Sequence, residues 1–210
     1  MLSLVKKASD LQHERAYSNE YIEIHGLSLL RGSLIEFYGQ TSAGKSSFVL
    51  SLFAMLTNNG EICSVVDVDN SFDPPTAKSG GIKLNNILWI KCSGAIEAAL
   101  TASDYLVQAR SFGAIWINLN HTPNNEINAI PTTSWYRFRN KIKNSPTLLI
   151  VTAVSPVIGS AKQQSIQFSK AKTVWTGIGK CKLLKEFSVN LESQKPLTAM
   201  PIKTLLRKDY

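Results

Sequence analysis

The chain has 210 residues, 44% of them apolar, and a formal net charge of +8. A single domain of this length can bury about 70% of its unfolded surface, and the apolar share excludes disorder of the whole chain. The twelve glycines have no periodic spacing, which excludes collagen-like proteins. The three cysteines lack a CxxC spacing, which excludes a disulfide scaffold, argues against a zinc site and favours a reducing cytoplasm.

Short apolar runs alternate with helical patterns along most of the chain. The predicted strands are 33–38, 62–68, 114–119 and 147–154, and the predicted helices are 47–56, 97–112 and 135–142. Strands that are apolar almost throughout are typical of a mostly parallel central sheet with helices on both faces. Segments 171–176 and 183–189 are shorter and mixed, and they predict added antiparallel strands at the C-terminal end. We therefore expect an α/β fold, with no signal peptide over residues 1–15 and no apolar run of the ~18 residues that span a membrane.

The positive charge is unevenly distributed along the chain. Residues 1–161 contain 13 Lys and Arg against 12 Asp and Glu, whereas residues 162–210 contain 10 against 3, which gives net charges of +1 and +7. A polyanion such as nucleic acid is one explanation of the basic C-terminal quarter. A solvated surface that keeps the protein soluble is the other.

The segment GQTSAGKS at residues 39–46 fits the phosphate-binding pattern G-x-x-x-x-G-K-[ST]. Its glycines allow the backbone to wrap around phosphate oxygens, with N–H groups aimed at them from the start of the following helix. Lys45 would neutralise the β- and γ-phosphates of ATP, and Ser46 would ligate Mg²⁺. A predicted strand precedes this P-loop and a predicted helix follows it, as the motif requires. The predicted nucleotide-binding residues of the loop are Gly39, Gln40, Thr41, Ser42, Ala43, Gly44, Lys45, Ser46 and Ser47.

Residues 31–74, RGSLIEFYGQTSAGKSSFVLSLFAMLTNNGEICSVVDVDNSFDP, resemble the ATP-binding core of the RecA/RadA-like recombinase family. The P-loop and the DNSFDP stretch carry the resemblance most specifically. It implies a RecA-like P-loop NTPase core over 26–176, an N-terminal arm over 1–25 and a basic C-terminal extension over 177–210. Among relatives, the chain is similar to short accessory proteins of the ImuA type, which act with a translesion polymerase. The implied cofactors are ATP and Mg²⁺, and the implied partners are single-stranded DNA and a repair polymerase or recombinase.

Two acidic positions match the family only in part. Asp69 aligns with the family's catalytic glutamate, which orients the attacking water, but its side chain is one methylene shorter; the alternative is a plain carboxylate in the loop after a strand. Asp73 aligns with the residue that contacts adenine, and the alternative is an Asp-Pro turn. Thr76 stands where the family has a stacking tyrosine, so we expect weaker recognition of the base. The candidate catalytic residues are therefore Asp69 and Lys45.

Two further departures concern hydrolysis. The strand at 114–117 ends in Asn118, where the family has the Walker B aspartate that holds the Mg²⁺ shell. An amide can hydrogen-bond a metal-bound water but brings no negative charge, so Asn118 would hold the ion less firmly. Val154 stands where the family has a glutamine that senses the γ-phosphate, and its side chain cannot hydrogen-bond. We expect ATP to bind and its hydrolysis to be slow or absent.

The candidate DNA-binding residues are cations. Four of them lie within the seven residues 137–143, at and just after the end of the helix predicted at 135–142. They could contact a phosphate backbone, and the alternative is a solvated helix face. The family's two DNA-binding loops align with short segments at 121–134 and 155–167. A tryptophan at 135 could stack on a base, although packing in the core explains it better. The expected DNA contacts are Arg137, Arg139, Lys141, Lys143, Lys162, Lys170 and Lys172.

Three functions remain open from the sequence. The first is a RecA-like ATP-binding accessory factor in DNA repair or recombination, with weak or absent hydrolysis. The second is an active DNA-stimulated ATPase or recombinase, which requires Asp69 to act as base despite Asn118. The third is a non-catalytic interaction scaffold with a vestigial P-loop.

Overall fold

The structure is a computed structural model that describes residues 21–176, 183–193 and 202–207, with side chains described for 21–170 and 190–192. Residues 1–20 of the predicted N-terminal arm lie outside these ranges. So do residues 177–182, 194–201 and 208–210 of the predicted C-terminal extension. The strands are β1 (Tyr21–Ile24), β2 (Leu27–Leu30), β3 (Leu34–Tyr38), β4 (Cys63–Asp67), β5 (Ile87–Lys91), β6 (Ala114–Asn118), β7 (Leu148–Ala153), β8 (Gln164–Thr176), β9 (Leu183–Ser193) and β10 (Ile202–Arg207). The helices are α1 (Lys45–Asn58), α2 (Pro74–Ser79), α3 (Ile96–Ala109), α4 (Asn124–Asn128) and α5 (Thr132–Ile142), with single 3₁₀ turns at Leu84–Asn86 and Gly159–Ala161.

An eight-stranded sheet forms the centre of the fold, with the strand order β10-β9-β8-β3-β7-β6-β4-β5. Strands β8, β3, β7, β6, β4 and β5 pair in parallel. Strands β9 and β10 join β8 as antiparallel additions. The predicted fold, a mostly parallel sheet with added antiparallel strands at the C-terminal end, is confirmed. The two added strands continue the sheet of the core.

Apolar side chains cover both faces of the central strands, which explains why these strands are apolar almost throughout. On one face, α1 packs through Phe48 and Phe53 against a cluster that includes Trp116. On the other face, α3 and α5 pack through Val107 and Phe138 in a second cluster. The carboxyl ends of the parallel strands, and the loops that follow them, therefore meet along one edge of a sheet that is packed on both sides.

Strands β1 and β2 form an antiparallel hairpin ahead of the sheet. Its turn residues, His25 and Gly26, both have positive φ angles, +48° and +79°, as a two-residue type I′ turn requires. Ile22 and Ile24 are buried in the same cluster as α1. The boundary predicted at residue 25 between arm and core falls in this turn, and Ile22 and Ile24 ahead of it pack with the core.

All four predicted strands and all three predicted helices are present within a few residues of their expected bounds. The sequence did not indicate β1, β2, β5 or the two shortest helices, α2 and α4. The segment expected as a short loop at 121–134 contains α4 and the first turn of α5. Over the described residues, no helix has both the length and the apolar character to cross a membrane.

Candidate nucleotide-binding site

The P-loop connects β3 to α1 and has no room for a side chain at its first glycine. Gly39 has a φ of +144°, and a Cβ built on it would lie 2.1 Å from the backbone oxygen of Phe168. The Gly39 N–H donates to the backbone oxygen of Val154 at 3.1 Å. Gly44 has a φ of +94°, a left-handed conformation that favours glycine. The backbone therefore requires both fixed glycines of the motif.

The loop runs into the N-terminus of α1. Gly44 is the N-cap of this helix, and no side chain among the described residues caps it. The first N–H groups of a helix have no partner within the helix, and the helix dipole adds partial positive charge there. Ser46, half-buried, and Ser47, exposed, lie in this first turn. These groups form an anion-binding end that suits phosphate oxygens.

Lys45 folds back over the loop. Its side chain is 3% exposed, and its Nζ donates hydrogen bonds to the backbone oxygens of Gly39 and, at 3.0 Å, of Gln40. Burial lowers the pKa of Lys45 to about 8, because the ammonium form loses hydration there. Both acceptors are neutral carbonyls, so the negatively charged oxygen of a phosphate would be a stronger partner for this amine.

Three polar residues lie side by side where β4, β6 and β7 end. Asp67, Asn118 and Thr152 are paired in register across these parallel strands, and all three are buried. Asn118 accepts a hydrogen bond from the Thr152 hydroxyl at 3.2 Å and donates one to the Ser71 hydroxyl at 2.8 Å. Asp67 accepts hydrogen bonds from the backbone N–H groups of Ser71 and Phe72. The Walker B position is thus bound to neighbouring strand ends and to the loop after β4.

The side-chain contact with Ser46 comes from Asn120, two residues past the end of β6. Asn120 Nδ2 donates to Ser46 Oγ at 3.2 Å. The side-chain oxygen of Asn120 is buried and has no hydrogen-bond partner among the described residues. Asn118 Oδ1 accepts a hydrogen bond from the Asn120 N–H at 3.2 Å. The sequence pointed to Asn118 and gave no signal for Asn120, because no motif covers position 120.

Asp69 binds the loop that carries Asn120. Its Oδ2 accepts a hydrogen bond from the His121 N–H at 3.0 Å, and its Oδ1 accepts one from the Thr122 hydroxyl at 3.1 Å. Each carboxylate oxygen therefore has a partner in the loop after β6. The role of Asp69 as a catalytic base stays a prediction, and the structure gives this residue a contact that holds the neighbouring loop.

Asp73 begins α2. Its Oδ2 accepts a hydrogen bond from the Thr76 N–H at 3.0 Å, and a proline occupies the first position of the helix. This is an N-cap, in which a carboxylate satisfies a free N–H of the first helical turn. Hydrogen bonds from the Thr76 side chain and backbone lower the pKa of Asp73. Asp73 and Thr76, which stands at the position of the family's stacking tyrosine, are thus joined in the cap of this helix. The contact of Asp73 with adenine stays a prediction.

The residues at this edge fit the phosphates of a nucleotide together with Mg²⁺. Lys45 and the N–H groups at the start of α1 suit the phosphates. Mg²⁺ binds oxygen atoms directly or through its waters. The hydroxyl of Ser46 and the side-chain oxygen of Asn120, which has no partner among the described residues, are oxygen atoms of this kind. The carboxylates of Asp67 and Asp69 are hydrogen-bonded to protein groups. The side-chain hydrogen bond that Ser46 receives among the described residues comes from a neutral amide, that of Asn120.

Two of the four predicted DNA-binding cations at 137–143, which lie in α5 and directly after it, are ion-paired. Arg137 Nε and Lys141 Nζ contact the carboxylate of Asp104, on α3, at 2.9 Å and 2.8 Å. Arg139 is half-buried and Lys143 is exposed. The helix therefore does not present four equivalent charges.

The remaining predicted DNA contacts lie at and beyond the loop after β7. Lys162 Nζ forms an ion pair with the buried carboxylate of Glu36 at 2.9 Å, which argues against a free role at a DNA backbone. Lys170 is exposed on β8, and the side chain of Lys172 lies outside the described residues. Trp135 is 1% exposed. It is packed in the core, as the sequence favoured, and cannot stack on a base.

The segment that holds the P-loop and the strand ends matches a known family. A family model described as the RecA N-terminal domain matches residues 19–133, more than half of the chain. The chain belongs to the RecA family. The match runs from the start of the hairpin through the P-loop and the loop that carries Asn120.

RecA proteins of two bacteria are similar to part of this RecA-family chain. Protein RecA of Borrelia hermsii (strain HS1 / DAH) is 34% identical over 79 residues, which are 38% of this chain and 22% of that protein. Protein RecA of Rhizobium leguminosarum bv. viciae is 38% identical over 81 residues, 39% of this chain and 23% of that protein. The matched part thus spans less than a quarter of the length of these curated relatives.

The crystal structure of the RadB recombinase is similar to this one over most of both chains. The TM-score is 0.59 at 12% sequence identity, and the likeness covers 84% of this chain and 87% of that chain. At this level of identity the comparison supports the RecA-like fold alone.

Proposed function

We propose that this RecA-family chain binds ATP at residues 39–47 and acts as an accessory factor in DNA repair or recombination, with slow or absent ATP hydrolysis. The observation that carries the proposal is the geometry of the P-loop. Phe168 leaves space only for glycine at position 39, no described side chain caps α1, and the buried amine of Lys45 has neutral partners. These features favour a bound polyphosphate, and family membership supports ATP and Mg²⁺.

Slow hydrolysis is supported by the two residues that stand at the ends of β6 and β7. Asn118 carries no charge and its amide is hydrogen-bonded to Ser71 and Thr152. Val154 supplies a backbone oxygen to Gly39, while its apolar side chain offers no hydrogen bond to a γ-phosphate. Charge that develops during phosphoryl transfer would therefore receive less stabilisation than a carboxylate-held metal and an amide sensor provide.

A DNA partner is supported by membership of a family whose members bind DNA. The excess of positive charge after residue 162 points to a polyanion as well. We favour single-stranded DNA. The basic C-terminal quarter and the exposed cations Lys143 and Lys170 are the candidate contacts.

ATP binding is tested by calorimetric titration with Mg·ATP and by chemical unfolding. At 100 times Kd, ATP should raise the free energy of unfolding of the wild type by about 2.7 kcal/mol. Lys45→Ala should lose this stabilisation. Lys78→Ala, which removes an exposed lysine in the last turn of α2, should keep it. A wild type that ATP does not stabilise would favour the scaffold with a vestigial P-loop and overturn this proposal.

Hydrolysis and DNA binding are tested separately. Phosphate release should be slow with and without single-stranded DNA; release that DNA stimulates and Lys45→Ala abolishes would favour the active ATPase instead. A labelled oligonucleotide should bind in gel shifts with an affinity that falls steeply with salt concentration. Absence of binding at the lowest salt concentration would remove DNA as the partner of this chain.

A further inference from the structure

The side-chain oxygen of Asn120 is a buried acceptor, next to the P-loop serine, that no described residue satisfies. Asn120 is 8% exposed, and the nitrogen of the same amide lies 3.2 Å from Ser46 Oγ. Because both atoms belong to one amide, the oxygen is held beside the Ser46 hydroxyl. The large majority of buried polar atoms in native proteins are hydrogen-bonded, so an unpartnered one beside the P-loop marks a place that a water, an ion or a ligand group can fill.

We propose that Asn120 completes the metal side of the P-loop, with its oxygen accepting a hydrogen bond from a water on the Mg²⁺ of Mg·ATP. This inference rests on the proposed binding of ATP at residues 39–47. An amide oxygen has two acceptor sites, and Mg²⁺ in nucleotide sites keeps several of its waters, which are good donors. Asn120 would then perform the task that the resemblance assigns to position 118.

Asn118 is engaged elsewhere and acts on Asn120. Its nitrogen donates to the Ser71 hydroxyl, and its oxygen accepts from the Thr152 hydroxyl and from the Asn120 N–H. The last of these bonds fixes the backbone at position 120. Asn118 is in this arrangement a positioning residue, which sets where the amide of Asn120 meets Ser46.

Asp69 is a second positioning residue for the same amide. It accepts hydrogen bonds from the His121 N–H and the Thr122 hydroxyl, and these two residues follow Asn120 directly in the chain. Hydrogen bonds to an ionised carboxylate are stronger than those between neutral groups. Loss of the charge at position 69 should therefore loosen the loop and the contact between Asn120 and Ser46.

The test compares the Kd of ATP measured by calorimetry with Mg²⁺ and with EDTA. The ratio of the Kd in EDTA to the Kd in Mg²⁺ is the metal factor. Asn120→Ala should lower the metal factor by about three- to tenfold, the worth of one hydrogen bond, and leave the Kd in EDTA unchanged. Asn125→Ala, a matched substitution at an exposed position of α4, should leave both values unchanged.

Asn120→Asp gives a second measurement that does not create a cavity. The carboxylate has the size of the amide and adds a negative charge beside the metal, so the metal factor should rise above that of the wild type. A rise with Asp together with a fall with Ala is the expected pattern. A fall with both would overturn the inference, because a purely structural amide would be damaged by either change.

A double-mutant cycle tests the positioning role of Asp69. Asp69→Asn should lower the metal factor, and Asp69→Asn combined with Asn120→Ala should lower it no further than Asn120→Ala alone. Additive losses would overturn the positioning role.

The possible failures are distinguishable. An unchanged metal factor in Asn120→Ala, or an equal loss of affinity in Mg²⁺ and in EDTA, would show that this inference is wrong while ATP binding stands. A wild type that binds ATP in neither buffer would overturn the proposed function, and the role of Asn120 with it.

Discussion

Glu36 and Lys162 form an ion pair with 2.9 Å between Oε2 and Nζ, in which the carboxylate is fully buried and the lysine side chain is 18% exposed. Glu36 is the central residue of β3, the strand that leads into the P-loop. Its oxygens also accept hydrogen bonds from the N–H groups of Val157 and Ile158 and from the Ser165 hydroxyl. One buried carboxylate therefore joins the segment between β7 and β8 to the strand in front of the phosphate site.

Substitution of Lys162 should destabilise the protein through this carboxylate. Lys162→Met removes the only countercharge that the described ion pairs give Glu36, and the expected loss is about 3 kcal/mol in the free energy of unfolding. Urea denaturation near pH 7 measures it. Lys170→Met, at an exposed position of β8, should stay within about 0.5 kcal/mol of the wild type. Equal effects of the two substitutions would show that the buried pair does not stabilise the fold.

Alanine at position 39 should disrupt the P-loop for a steric reason. Its Cβ would lie 2.1 Å from the Phe168 backbone oxygen, and we expect Gly39→Ala to cost about 3 kcal/mol or more, from the clash and the positive φ together. Gly60 has a φ of +83° with no described atom within 4 Å of its ideal Cβ, so Gly60→Ala should cost only about 1 kcal/mol. Chemical unfolding of both variants separates the two effects. Similar losses would contradict a steric requirement at Gly39.

The sheet and the P-loop could be predicted because local constraints determine them. Strands buried on both faces must be apolar almost throughout, which makes β3, β4, β6 and β7 visible in the sequence. The motif has glycine at 39 and 44 because both positions have positive φ angles and a Cβ at position 39 would clash with Phe168. The residue types alone therefore indicate this backbone geometry. The short helices α2 and α4 escaped prediction because five or six residues give too little periodicity.

The contacts around the site could not be predicted because they join distant parts of the chain. Asn120 meets Ser46 across 74 positions in sequence, and the pattern around each residue gives no sign of the other. The sequence likewise indicated four neighbouring cations as candidate phosphate contacts, whereas Asp104 on α3 pairs with Arg137 and Lys141 and offsets one of their two charges. Such pairings depend on how helices and strand ends are placed by the fold, which local sequence does not encode.

Nucleotide affinity should fall as the pH rises above 8. Burial lowers the pKa of Lys45 to about 8, and binding of a phosphate requires the protonated amine. The fraction of free protein in which Lys45 is protonated therefore falls above this pH. The Kd of Mg·ATP should increase roughly eightfold between pH 7.5 and pH 9. Calorimetric titrations over this range measure the change. Lys45→Met should bind more weakly and lack this dependence; a wild-type Kd that is constant up to pH 9 would contradict the role of Lys45.

Asp104 should contribute stability that is lost in acid. Burial favours its neutral form, but the hydrogen bond and charge of Lys141, with those of Arg137, outweigh this and lower the pKa of Asp104. A lowered carboxylate pKa stabilises the folded state above the pKa of the unfolded chain, and this contribution disappears as the pH falls through the folded value. Asp104→Asn should therefore cost about 1 kcal/mol at pH 7 and progressively less below pH 4, as measured by urea denaturation. A loss that does not change with pH would indicate packing as its cause.

The four cations at 137–143, three in α5 and Lys143 directly after it, should contribute unequally to DNA binding. Arg137 and Lys141 share the carboxylate of Asp104, whereas Arg139 and Lys143 make no ion pair among the described residues. Arg139→Ala with Lys143→Ala should weaken binding of a single-stranded oligonucleotide and lower the slope of log affinity against log salt by about 1.4, the release of two counterions. Arg137→Ala with Lys141→Ala removes the same formal charge and should change both values less. Equal losses in the two double variants would show that pairing with Asp104 does not weaken the contribution of its partners to DNA binding, and no loss in either would exclude residues 137–143 from the DNA interface.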